Sequence, residues 1–381
     1  MFYIEKECGN LNITRDSHCG IDRGNGTSGV ISYGSVMKGK FEGDPDIAGI
    51  GVLIAFLLVS VLVGGLGIIL SIVHWYSVIR AWIKSKKVMF PNKDYNEDSL
   101  CDKFHALLDP IILSGSDAQV LLIYAYGISF QISSKCSISG YHYNIVLHVI
   151  FVGCATFVLS IIFVQKYFLK PITALLRIVS MVIILSVYGT FLRIQSANFD
   201  PMTIIPKVGT TDSDLFLPAM CLLDAGSVDV NISAPKNLMR NFFYFIGLFF
   251  AIAVLMHALP PVARYFQITK RKGLTIKSAF GINIGKTLMY AVLLVFIGVE
   301  WSVIMRLRKW VDQSGWMDTE EGNPEMDAKG IGQLAPLIAL SAIGIPISDK
   351  ASEWVAKRLG WGKFRDSTGS NGNNMELQNR Q

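Results

Sequence analysis

The stretch Asp44–Val73, DPDIAGIGVLIAFLLVSVLVGGLGIILSIV, sets two aspartates around a proline and then runs without another charge. A helix needs about twenty consecutive apolar residues to cross the hydrocarbon core of a bilayer, where it closes its own backbone hydrogen bonds. This run is long enough, and its opening reads as a helix start. Asp44 suits the N-cap and Pro45 the first helical position, where its missing N–H costs nothing. Asp46 falls in the first turn, at the positive end of the helix dipole. Ala48, Gly49 and Gly51 add a small-residue surface on which another helix can approach closely.

The rest of the chain repeats the pattern. It has 381 residues, of which 51% are hydrophobic and 17% charged, with a mean hydropathy of +0.42. That is too apolar for a soluble domain of this size. Seven runs read as spans: Ile47–Val73, Ile112–Ser133, Tyr141–Gln165, Ile172–Leu192, Asn241–Pro260, Ile282–Val303 and Ile331–Ile347. The expected fold class is therefore all-α, a polytopic membrane protein of seven transmembrane helices. Residues 1–43 form a polar outer segment, 44–348 the seven-helix domain with a long outer loop at 195–240, and 349–381 a tail. The tail holds a short amphipathic helix near Ser352–Leu359 and ends in a disordered composition. No internal repeat is visible, which disfavours a transporter built on inverted repeats.

The formal charge of +6 is spread over alternate loops, not gathered into a patch for nucleic acid. Arg80, Lys84, Lys86 and Lys87 follow the first span, Lys166 and Lys170 the third, and Arg264, Lys270, Arg271, Lys272 and Lys277 the fifth. The positive-inside rule makes these loops cytosolic, hence N-outside and C-inside. The glycosylation sequons at Asn12, Asn25 and Asn231 then lie outside or in a lumen, as do Cys8, Cys19, Cys136 and Cys221. Four cysteines allow three pairings; Cys8–Cys19 would close the N-terminal segment, and Cys136 lies near Cys221 in topology. No cleavable signal peptide is evident. Topology leaves endoplasmic reticulum and plasma membrane equivalent.

Ionisable groups inside spans are costly and point to function. Toward the cytosolic side stand His74, Arg80, Asp117, Arg177, His257 and Lys286. The cations there suit interfacial anchoring, and Asp117 suits a cap on the second helix. Toward the outer side, Tyr141, Asn144 and His148 fall on one helical face, with Gln131, Arg193, Glu300 and Gln333 at comparable depth. Glu300, beside Trp301, is the sharpest: buried among aromatics it would keep its proton and could donate it, whereas paired with Arg193 or Arg306 it would be structural glue. No Walker loop, HExxH, GxSxG, CxxC or DDxxD run is present, so neither metal nor other cofactor is expected.

Four segments together resemble a family of fungal integral membrane proteins: DPDIAGIGV, SDAQVLL (Ser116–Leu122), CSISGYHYNIV (Cys136–Val146) and GIGQLAPLIAL (Gly330–Leu340). A single Gln119 follows SDA where related chains often have a pair, and Tyr143 stands where Phe is common. Within fungal secondary metabolism the chain is similar to the membrane-bound terpene cyclases of meroterpenoid pathways, of the ascofuranone and macrophorin type. That resemblance implies a metal-independent reaction in which a carboxylic acid protonates an epoxide or olefin of a farnesyl-type chain and aromatic walls steer the cation. The partners are then the bilayer and an apolar prenylated small molecule. Glu300 or Asp117 would be the general acid, with Tyr141 and His148 as orienting or deprotonating groups. Tyr124 and Trp301 would form the wall, and Asn144, Gln131 and Gln333 would complete the substrate site. The alternative is a seven-transmembrane receptor or sensor, although Asp-Arg-Tyr-like and Asn-Pro-x-x-Tyr-like motifs are missing.

Overall fold

The computed structural model describes residues 19–24, 29–84, 100–132, 138–164, 167, 171–195, 205–207, 209–223, 238–265, 276–318 and 325. They form β1 (Ile21–Arg23), β2 (Val30–Tyr33), β3 (Val36–Met37), α1 (Pro45–Ala48), α2 (Ile50–Lys84) and α3 (Leu100–Ile132). Then follow α4 (Gly140–Phe163), α5 (Pro171–Gln195), α6 (Ala219–Leu223), α7 (Leu238–Tyr265) and α8 (Ile276–Gln313). Six helices, α2, α3, α4, α5, α7 and α8, are long and apolar enough to cross a membrane, which makes this a multi-pass membrane protein. The expected span Ile331–Ile347, the tail and all three sequons lie outside the described residues.

Helices α5, α7 and α8 extend at both ends beyond the runs that hydropathy picks out, α2 runs on to Lys84, and α3 and α4 end one and two residues before their expected limits. The second span begins at Leu100, three turns before Ile112, and carries Pro110 within it. Asp117 therefore sits in mid-helix and caps nothing. At the first span the expected start is present: Asp44 Oδ1 accepts from the backbone N–H groups of Asp46 (3.0 Å) and Ile47 (3.2 Å). The turn it starts is only α1, because Gly49 adopts an extended backbone before α2 resumes at Ile50.

Helix α4 is the axis of the bundle. Every one of its residues is buried, as expected of a helix that is apolar all round, and it touches each of the other five long helices. Lipid tails are as apolar as leucine, so such helices associate through packing and interhelical hydrogen bonds. One polar contact ties α4 to each neighbour. Thr156 Oγ1 lies 2.9 Å from Ser60 Oγ on α2, and Ser160 Oγ 2.9 Å from Ser116 Oγ on α3. The carbonyl of Leu147 accepts from Tyr188 on α5 (3.2 Å), and that of Ile161 is 2.7 Å from His257 Nε2 on α7. The tie to α8 is His148 with Glu300. Helices α2 and α8 meet directly at Gly67, where a β-carbon would fall 2.2 Å from the Tyr290 hydroxyl.

The class is not purely helical. Strands β1, β2 and β3 form an antiparallel meander, with Ile21 opposite Tyr33 and Tyr33 opposite Val36. A disulfide joins Cys19 to Cys221, tying this meander to the segment between α5 and α7. The local Cys8–Cys19 closure and the Cys136–Cys221 pairing are thereby overturned, since each of those bonds would need a sulfur already used; Cys8 and Cys136 themselves lie outside the described residues. Around the disulfide, Tyr33, Phe41, Phe216, Trp310 and Trp316 stack into an aromatic cap. Backbone hydrogen bonds between Phe41 and both Trp316 (2.9 Å) and Asp318 (3.2 Å) hold the chain end of α8 against it. Burial raises the Tyr33 hydroxyl above its ordinary range, with the carboxylates of Asp214 and Asp212 adding to the effect.

Candidate functional site

Two buried acid stations line one face of α4. The deeper one is Glu300 on α8 against His148 on α4: Oε2 meets Nδ1, and neither side chain has any solvent exposure. Neither Glu300 Oε1 nor His148 Nε2 has a hydrogen-bond partner among the described residues. Arg306 is exposed and takes no part, and the side chain of Arg193 is outside the described set. The glue expected for Glu300 is thus an imidazole, not a guanidinium.

One turn from this pair, away from the cap, lies a row of rings. Phe151 follows His148 on α4 and Phe296 precedes Glu300 on α8. Phe242 on α7 bridges them, 6.3 Å from Phe151 and 4.6 Å from Phe296, and Tyr188 on α5 closes the row 6.5 Å from Phe151. The expected wall was different. The Tyr124 hydroxyl donates to the Ser180 carbonyl on α5 (3.1 Å), which makes it a helix tie. Trp301 is buried, with an indole N–H that has no partner among the described residues.

The second station lies beneath the cap and centres on Glu325, a residue the sequence reading passed over. Tyr141 donates to Glu325 Oε2 (3.0 Å), and His142 Nε2 lies 2.9 Å from Oε1. The Asp44 N–H reaches the same Nε2 at 3.0 Å, while Ser139, the N-cap of α4, holds Nδ1 at 2.8 Å. An imidazole nitrogen makes one such bond at a time: bare Nε2 accepts from Asp44, and protonated Nε2 donates to Glu325. The station therefore has two hydrogen-bonding arrangements, distinguished by whether His142 Nε2 carries a proton. Tyr126 donates to the Ile47 carbonyl beside it, Arg308 approaches the Glu325 carbonyl at 3.4 Å, and Phe41 stacks on the His142 ring. Tyr141 and His148 are seven residues apart in sequence, about 10 Å along the helix, with buried Asn144 between them. The expected stripe exists, but its two ends serve different acids.

Asp117 leaves the candidate set. Arg177 grips it with two hydrogen bonds, 2.6 Å to Oδ1 and 2.5 Å to Oδ2, linking α3 to α5. Both oxygens are occupied as acceptors, so this carboxylate is not placed to deliver a proton. Arg177 is equally not a free interfacial anchor. Gln333 and the side chain of Gln131 lie outside the described residues. Among the described residues one group has metal-ligand chemistry, His74 with Cys101 and His105 at the end of the bundle opposite the cap. The absence of a CxxC or HExxH run concealed it; the signal available was Cys101 and His105 spaced four apart on one helix.

No family model matches the chain, and no curated protein or solved structure matches it.

Proposed function

We propose that this chain is a metal-independent, membrane-embedded cyclase in which Glu300, held by His148, protonates the terminal epoxide or olefin of a farnesyl-type chain on a prenylated aromatic. The supporting observation is the nature of the α4–α8 tie. Each of the other four ties to α4 uses a hydroxyl or a backbone carbonyl on at least one side, the α7 tie setting the His257 imidazole on a carbonyl, yet here two titratable side chains face each other, both fully buried. Such groups are expensive in a membrane and are retained where protons move. The rings of Phe151, Phe242, Phe296 and Tyr188 would stabilise the developing cation. In the proposed cycle Glu300 donates its proton to the epoxide oxygen or the alkene carbon. The cation closes onto successive double bonds, and the last C–H proton is lost to a base, leaving an isomer of the substrate. His148 orients the Glu300 carboxyl and restores its proton.

The proposal includes a seventh span at Ile331–Ile347, the cap on the outer or lumenal side, glycosylation at Asn12, Asn25 and Asn231, and residence in the endoplasmic reticulum or plasma membrane. A receptor or sensor is the second reading, supported by the disulfide-tied aromatic cap at the mouth of the bundle.

Microsomes carrying the chain, incubated with prenylated phenols with and without a terminal epoxide, should yield a cyclised isomer. Glu300→Gln should abolish it, because an amide cannot supply the proton, while Asp117→Asn should retain it. No product from any prenylated substrate would refute the cyclase.

A further inference from the structure

The end of the bundle opposite the cap holds a cluster that the cyclase reading does not use. His74 on α2 and Cys101 and His105 on α3 offer one ligand atom each, all within 4.8 Å of one another. Cys101 Sγ lies 3.9 Å from His74 Nδ1. Cys101 and His105 are four residues apart and so share a helix face, and the two imidazole rings stand at 89° with centroids 6.3 Å apart. His105 is buried, and its Nδ1 is 2.9 Å from Asp109 Oδ1 one turn on. Its other nitrogen, Nε2, has no partner among the described residues.

We propose that His74, Cys101 and His105 bind a zinc-class divalent transition-metal ion, with Asp109 orienting His105. One thiolate and two imidazoles form a borderline-soft set, which suits zinc and disfavours magnesium or calcium. A carboxylate on the far nitrogen of a ligating histidine is the usual device for fixing its tautomer and ring plane. Here the Asp109 bond puts the proton on Nδ1 and leaves Nε2 bare as a donor atom. Tetrahedral zinc spaces sulfur and nitrogen ligand atoms roughly 3.3–3.6 Å apart, so small side-chain rotations close the set observed. Binding releases the Cys101 thiol proton as the metal–sulfur bond forms. The charges balance locally: the Cys101 thiolate and Asp109 offset the dication, and Lys286 on α8, whose charge acts on His74, opposes it. Three protein ligands leave a fourth position for water. The ion would pin α2, ten residues before its end at Lys84, to the first turns of α3.

The test uses the full-length chain in detergent, stripped with a chelator and titrated with Co²⁺. One ion per chain should bind with a thiolate-to-cobalt charge-transfer band and the strong ligand-field spectrum of a four-coordinate site, and Zn²⁺ should displace it. Cys101→Ser should remove the charge-transfer band, and Asp109→Asn, which leaves all three ligands in place, should weaken binding about 10–100-fold. Cys154→Ser, at the other buried free cysteine among the described residues, should leave the spectrum unchanged. Binding without a thiolate band, a band that survives Cys101→Ser, or equal affinity in Asp109→Asn would each overturn the site. The readout is independent of any cyclase activity, so either proposal can fail alone.

Discussion

At Gly43 a hydrogen stands where any other residue would place a carbon. A β-carbon there would fall 2.9 Å from Glu325 Cγ and 3.0 Å from both Glu325 Oε1 and Met317 Cε. Met317 can give way, but the Glu325 carboxylate is held from two sides by Tyr141 and His142. Gly43→Ala should therefore destabilise the protein by about 1–3 kcal/mol, the usual cost of overpacking, read from denaturation in detergent. Combining it with Glu325→Ala should recover most of that increment, since the obstructing atoms are gone; full additivity would contradict the contact. The same residues mark what was legible. Glu300 and His148 stood out because each interrupts an apolar run, but their pairing joins positions on different helices and no spacing rule reaches that far. Glu325 escaped notice because it lies in a polar stretch, GNPEMD, where an acid is unremarkable until the fold buries it.

At the scale of elements, α4 differs from its neighbours in kind. Its buried residues cover the whole circumference, whereas α5 and α7 leave broad apolar faces uncovered, Leu175, Leu176 and Phe245 among them. Ala155, fully buried on α4, has no lipid to displace, so Ala155→Leu should cost about 1–3 kcal/mol. Leu176→Ala on the exposed face of α5 should cost much less, because no protein cavity opens. Unfolding both variants in mixed micelles checks the contrast, and equal losses would show that α4 is not the packing axis. Helix existence was readable from apolar length at every described span. The ends were not, because α3 and α8 extend past the hydrocarbon-length window through polar and charged residues that apolar length does not count, and α3 does so even across Pro110. Asp117 illustrates the consequence. Placed by hydropathy at a helix start, it resembled a cap; placed by the full helix, it is an arginine partner in mid-span.

At the scale of the molecule, the Cys19–Cys221 disulfide closes a sequence separation of 202 residues, which makes the cap a property of the whole bundle. Chain entropy alone would credit such a loop with at most about 5 kcal/mol; helices that stay inserted in the unfolded state already restrict it, so the gain should be smaller. Reduction, or Cys221→Ser, should open the meander to hydrogen exchange at Val30–Tyr33 and leave the protection of α4 unchanged. Loss of protection along α4 as well would mean that the cap and the bundle unfold as one unit. Burial also holds the Asp214 carboxyl above its usual range, an effect that Arg23 opposes. By itself the sequence determined that this chain is a multi-pass helical membrane protein, that DPDI begins a helix, and that Glu300 and His148 are out of place in an apolar environment. Those are consequences of local composition, because a bilayer judges each segment on its own apolar length. Only the tertiary structure decided which helix lies at the centre, which cysteines meet, and that Glu325, His142 and the backbone of Asp44 form one station. It also brought His74 to Cys101 and His105. These depend on contacts between distant segments, where many pairings share one local pattern and packing selects among them.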